Sequence, residues 1–214
     1  MSTSAPVPFT PIGVARDAAP YLLGFDCLVP KTAAMLADAK ARGLSWCGCY
    51  LETLNASQRD LVFSYDMAIA LLTEADTFDV LTATIGTAKG LLAAKAARAL
   101  AAPLGVHVTI DYEDPKAGSQ SAAYINAKSD SLEAGGYPAC FYAGEPDPLT
   151  AAATYNTHPR RYWKGGGAVP EPQCGWCVLQ LEPLQGLELG GVAVDVDVTK
   201  ADYEGRVLTL WYPS

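Results

Sequence analysis

Val106-His107-Val108-Thr109-Ile110-Asp111-Tyr112-Glu113-Asp114 decides how this chain is read. An apolar, β-branched run ends in two acids one residue apart, and strand alternation sends both carboxylates to the same side. Two carboxyl groups on one face are what glycosidic bond hydrolysis needs. One protonates the leaving oxygen, and the other supplies a nucleophile, a base or a counter-charge to an oxocarbenium-like transition state. Asp111 and Glu113 are the candidates. The same residues also read as an acidic turn, with Pro115 stopping the strand from continuing.

Working outward, 214 residues with 50% hydrophobic and 18% charged side chains describe a packed chain long enough for one domain with a sizeable core. A formal net charge of -8 argues against nucleic acid as a partner and favours a neutral or cationic substrate. No segment reaches the roughly 18 apolar residues of a membrane span, and the leader over 1–20 shows no basic and then apolar Sec pattern. Several of the six cysteines, Cys27, Cys47, Cys49, Cys140, Cys174 and Cys177, lie inside apolar strand-like runs, where cysteine behaves as a small buried hydrophobe, so free thiols are expected. Cys174-Gly175-Trp176-Cys177 has zinc-knuckle spacing, but no second pair stands at a suitable distance to complete four ligands. No metal and no cofactor are expected.

Strand and helix patterns alternate from residue 21 onward. Strands are expected at Tyr21–Asp26, Ser45–Leu51, Phe78–Ile85, Val106–Asp111, Pro138–Ala143, Arg161–Lys164, Trp176–Leu181 and Val192–Val198. Helices are expected at Lys31–Arg42, Asp60–Ala75, Ala88–Ala102, Ser121–Ala134 and around Leu149–Tyr155. Eight strands alternating with helices predict a modified TIM (β/α)8 barrel, a single α/β domain over 21–214 behind the 1–20 leader. Gly24-Phe25-Asp26-Cys27 lacks the dinucleotide-binding turn of an open doubly wound sheet, and Gly86 to Gly90 lacks a phosphate-loop pattern.

Barrel sites form at the C-terminal ends of the strands. Asp26 closes the first strand, Asp111 and Glu113 the fourth, and Asp195 with Asp197 lies on the eighth, which neighbours the first when a barrel closes. Tyr50, Tyr112, Tyr142 and Trp163 are candidate platforms for sugar rings, Trp176 is undecided, and His107 reads as structural.

At these residues the chain resembles a known family. Gly24-Phe25-Asp26, Ile110-Asp111-Tyr112-Glu113, Gly136-Tyr137 with Cys140 to Gly144, Trp176 to Gln180, and Val194 to Val198 resemble glycoside hydrolase family 25 lysozymes. They resemble the related Rv2525c-like glycoside-hydrolase-like domain more closely, and Cys27-Leu28-Val29-Pro30 after Asp26 fits that domain better than the muramidases. The resemblance implies cleavage between N-acetylmuramic acid and N-acetylglucosamine in peptidoglycan. It makes Glu113 the general acid and Asp111 its charge-stabilising or N-acetyl-assisting partner, with Asp26 and Asp195 the other acids of the catalytic set. Asp197 and Gln180 join Tyr50, Tyr112, Tyr142 and Trp163 as substrate-binding residues. The expectation is a peptidoglycan glycosidase, such as a phage lysin released at lysis or carried on a virion. The alternative is a glycan-binding barrel of a virion or cell envelope that holds a sugar chain without cutting it.

Overall fold

The computed structural model describes residues 9–74, 80–112, 117–144 and 149–214. Eleven strands form its sheet. These are β1 (Val14–Asp17), β2 (Leu23–Asp26), β3 (Trp46–Tyr50), β4 (Ala68–Thr73), β5 (Val108–Tyr112), β6 (Ala139–Ala143), β7 (Tyr162–Lys164), β8 (Val178–Gln180), β9 (Leu187–Leu189), β10 (Val192–Thr199) and β11 (Thr209–Tyr212). Five helices accompany them: α1 (Ala33–Ala41), α2 (Ala56–Ser64), α3 (Ala83–Ala99), α4 (Ser121–Ala134) and α5 (Ala151–Tyr155).

Strands β2 to β8 run parallel in sequence order, and β10 closes the ring by pairing with both β8 and β2. The result is a modified TIM barrel of eight strands in a single α/β domain, as the alternation predicted. Both pairings of β10 are antiparallel, so the closing strand enters the ring from the cleft end. Strand β9 is a hairpin partner of β10, while β11 pairs with β4 at Trp211 and Ile69 and carries β1 with it. Thus Val14–Asp17, inside the stretch read as a leader, is hydrogen-bonded to the sheet.

Two expected elements are corrected. The helix placed over Asp60–Ala75 is α2 followed by β4. Asn55 starts α2, its side chain accepting from the Gln58 N–H, and Asp66 turns the chain with φ 51°. The apolar run Ala68–Thr73 has no period that separates a strand from a helix, and burial on both faces decides for the strand. The strand placed over Phe78–Ile85 is absent from its described part. Thr82 caps α3 there, its hydroxyl accepting from the Ile85 N–H, and Phe78 lies outside the described residues. Strand β4 takes the ring position assigned to that segment.

Alternation sorts the ring into two cores. Trp46, Tyr50, Ala68, Ala70, Leu72, Cys140, Tyr142, Trp163 and Val178 fill the interior. Phe25, Cys47, Ile69, Leu71, Ile110, Tyr112, Phe141 and Val196 pack outward beneath the helices. A small residue is required where a large one crosses the interior: a Cβ on Gly24 would run into the Trp46 indole. On the outside, Gly86 and Gly90 let α3 approach the α4 backbone at Tyr124 and Lys128.

Candidate active site

A cleft of about 670 Å³ opens at the C-terminal end of the parallel strands. Asp26, Cys27, Tyr50, Asp111, Tyr142, Gln180 and Asp195 line it with Leu28, Val29, Gly166, Gln185, Gly186 and Val192 to Val194. Its acids come from β2, β5 and β10, three separate parts of the chain.

Register explains the meeting. In the antiparallel β2–β10 pair Asp26 stands directly opposite Asp195, and opposite residues share a face. Two pairs further along, and so on the same face, Asp197 stands against Gly24 on one side and Gln180 on the other. Across the ring, the Tyr50 hydroxyl donates to Asp111 Oδ2 at 2.9 Å. The Tyr142 hydroxyl donates to Gln180 Oε1 at 3.2 Å, and the Gln180 side chain in turn hydrogen-bonds Asp195. The Gly186 N–H also donates to Asp195. Each rim carboxylate is therefore aimed by a neighbour on another element, an arrangement that fixes geometry before any ligand arrives.

The two acids of β10 differ in role. Asp195 is half-buried, and burial raises its carboxyl above the usual range while Gln180 and Gly186 oppose the shift. Asp197 is fully buried, accepts from Trp163 Nε1 at 3.0 Å, and is held well above the usual range by burial and then by Asp26, through charge and a hydrogen bond. Burial and the neighbouring Asp26 act together against charge on Asp197. Asp197 thus braces the cleft from behind and does not line it, a correction to its expected contact with substrate.

Two expected aromatic platforms are also corrected. Tyr112 is 1% exposed, packs against Tyr124 and Phe141, and donates to Ser121 Oγ at 2.6 Å. Standing one residue after Asp111, it must point away from the cleft that Asp111 faces. Trp163 lies inside the barrel without exposure, edge-on to Trp46 and Tyr142, so its ring is packing material and its N–H serves Asp197. Trp176 is buried in the outer core. Tyr50, Tyr142 and Gln180 do reach the cleft. Glu113 lies outside the described residues.

Sequence reading missed Cys27, Leu28, Val29, Gln185 and the Gly165–Gly167 loop. Here the signal was position: each follows a barrel strand, or a short turn leading into β9. Lys164 anchors the glycine loop through Gly167 O at 2.9 Å and Glu182 at 3.2 Å, and a Cβ on Gly166 would meet the Gln185 amide. All six cysteines are free. His107 is buried at the opposite end of the barrel, where its Nδ1 accepts from the Thr209 N–H. Among the described residues, no group of three or more His, Cys, Asp or Glu is placed to hold a metal ion, and no helix is long and apolar enough to cross a membrane.

No protein-family model and no characterised protein sequence matches the chain. Solved structures do. An uncharacterized B. stearothermophilus protein superposes with a TM-score of 0.70 at 18% identity, over 83% of this chain and 95% of that one. The Mycobacterium tuberculosis Tat-secreted protein Rv2525c, in complex with L-tartrate, gives 0.61 at 15% identity over 85% and 96%. A family 25 glycosyl hydrolase from Bacillus anthracis gives 0.55 at 10% identity over 86% and 91%. The chain shares its fold with Rv2525c and with the family 25 glycosyl hydrolase.

Proposed function

We propose that the protein is a peptidoglycan glycosidase of the N-acetylmuramidase type. The observation that carries this reading is the delivery of Asp26, Asp111 and Asp195 from three strands to one cleft, on a fold shared with a glycosyl hydrolase. Glu113, two positions after Asp111 in the sequence, is assigned the general acid. Asp111, oriented by Tyr50, is assigned the stabilisation of positive charge or of the substrate's N-acetyl group. Asp26 and Asp195 complete the catalytic set, and Tyr50, Tyr142 and Gln180 bind the sugar hydroxyls. The protein meets the wall as a lytic factor, the role a phage lysin or virion component fills.

Binding without turnover is the second reading, a glycan-binding barrel of a virion or envelope. The burial of Asp197 favours it, because one acid of the cluster is committed to Trp163 and Asp26 and does not face the cleft.

Reducing-end release from purified peptidoglycan of several bacteria, with wild type beside Glu113→Gln and folding checked, separates the two. Release by the wild type that falls roughly 10²–10⁴-fold in the variant is expected for loss of a general acid. No release by either protein, with saturable wall binding retained, would transfer the reading to the glycan-binding barrel.

A further inference from the structure

Cys27 belongs to the cleft wall, and the side chain next to it is a buried lysine. Lys31 Nζ lies 3.3 Å from Cys27 Sγ, 3.0 Å from Cys27 O and 3.4 Å from Val29 O. Its position is fixed by Thr32, whose side chain caps α1 immediately afterwards. Among the described residues no carboxylate forms an ion pair with Lys31. Its surroundings are the Phe25 ring, two carbonyls and the thiols of Cys27, Cys47 and Cys49. A buried ammonium without a counter-ion contributes little to stability, which directs attention to its chemistry.

We propose that Cys27 and Lys31 are a redox modification site at the lip of the cleft, closing to a reversible Sγ–Nζ sulfenamide when a peroxide oxidises the thiol. The Cys27 sulfur attacks one peroxide oxygen, the O–O bond breaks, and water leaves, giving the sulfenic acid. The Lys31 nitrogen then attacks that sulfur as the S–O bond breaks. One proton of the ammonium leaves with the hydroxyl as a second water, and another passes to solvent. Sulfur is oxidised, peroxide is reduced, and a dithiol reverses the bond.

Several features set the rate and direction. Cys27 is half-buried and faces the cavity, so peroxide reaches it, whereas Cys47 and Cys49 are buried with their sulfurs 3.8 Å apart. Burial pushes the Cys27 thiol up, and the Lys31 charge pulls it partly back. Burial also opposes the Lys31 ammonium, but Cys49, Cys47 and Cys27 together hold it above its ordinary value. Both the thiolate and the neutral amine are therefore minor species near neutrality, and the bridge forms faster as pH rises. Any effect of the bridge on wall turnover rests on the glycosidase reading; the bridge itself does not.

The test treats the folded full-length protein with hydrogen peroxide at pH 7 and pH 9, followed by digestion and mass spectrometry. Expected is a peptide joining Cys27 to Lys31, two hydrogens lighter than the reduced form, appearing faster at pH 9 and abolished by dithiothreitol. In Lys31→Met the bridge is absent and Cys27 proceeds to sulfinic acid. Wild-type Cys27 found only as sulfinic acid, or in a disulfide with Cys47 or Cys49, would overturn the proposal, and neither result depends on the variant folding. Wall turnover is measured on the same preparations before peroxide is added. A bridge without any turnover removes the glycosidase reading and keeps the site; turnover without a bridge does the reverse.

Discussion

The two ends of this barrel are built from the same strands and do opposite things with their polar groups. At the cleft end, Asp26, Asp111 and Asp195 converge on open space. At the other end the polar groups satisfy one another. His107 Nδ1 accepts from the Thr209 N–H, the Thr209 hydroxyl donates to Asp17 at 2.6 Å, and Arg161 Nε donates to Val207 O. Leu208 and Leu210 plug the interior there. A polar group whose partners close it off within the fold is structural; one aimed by a neighbour at a cavity is placed for chemistry.

The sharpest break between the ends is in activity. Asp111→Asn is expected to lower wall hydrolysis by roughly 10²–10³-fold, the loss typical of one electrostatic stabiliser, with the melting temperature nearly unchanged. A variant that hydrolyses like wild type would sink the distinction. Asp197 is the group on the boundary. Asp197→Ala strands the Trp163 N–H, a cost of about 1–3 kcal/mol in chemical denaturation. Asp197→Asn is expected to cost less, because an amide keeps an acceptor for Trp163 Nε1 and carries no charge into a site where burial and Asp26 oppose one.

Acid should then separate the ends by sign. His107 is lowered to about 3, first by burial and then by Arg161, against a smaller opposing pull from Asp17. Its folded pKa lies below the unfolded value of 6.5, so the unfolded chain binds the proton first. Stability tied to His107 is complete above pH 6.5 and lost progressively down to pH 3, with about 2 kcal/mol gone by pH 5 at 1.36 kcal/mol per unit. Asp195 and Asp197 are raised, so their contribution is present below the unfolded carboxylate value and fades as pH rises. Denaturation curves at pH 7 and pH 5 should show wild type losing stability and His107→Gln losing less. Equal losses would mean that the closed end does not control acid stability.

The smallest expected effect belongs to Tyr50→Phe. It removes the hydroxyl that aims Asp111 and should cost about 1 kcal/mol of stability. A KM unchanged with kcat lowered would assign Tyr50 to positioning; an effect on KM alone would make it a sugar contact.

Much of this was legible in the chain. Ser121–Ala134 was readable because its helical pattern ends at Gly135-Gly136, and β5 because a β-branched run ends at an acid pair. The Asp60–Ala75 error came from an apolar run whose backbone state is set by neighbours on both sides, although Asn55 and Thr82 marked the true helix starts. Tyr112 was misjudged although parity already opposed it: a residue next to Asp111 cannot share its face.

Sequence by itself determined the alternating strand and helix order, the absence of a dinucleotide or phosphate loop, and which acids fall at strand ends, since local pattern and chemistry are written residue by residue. Only the tertiary structure decided that β10 runs antiparallel between β2 and β8, because register is a property of pairs of strands. That register sets Asp195 opposite Asp26 at the cleft and draws Asp197 inside against Trp163, giving two similar acids on one strand different environments.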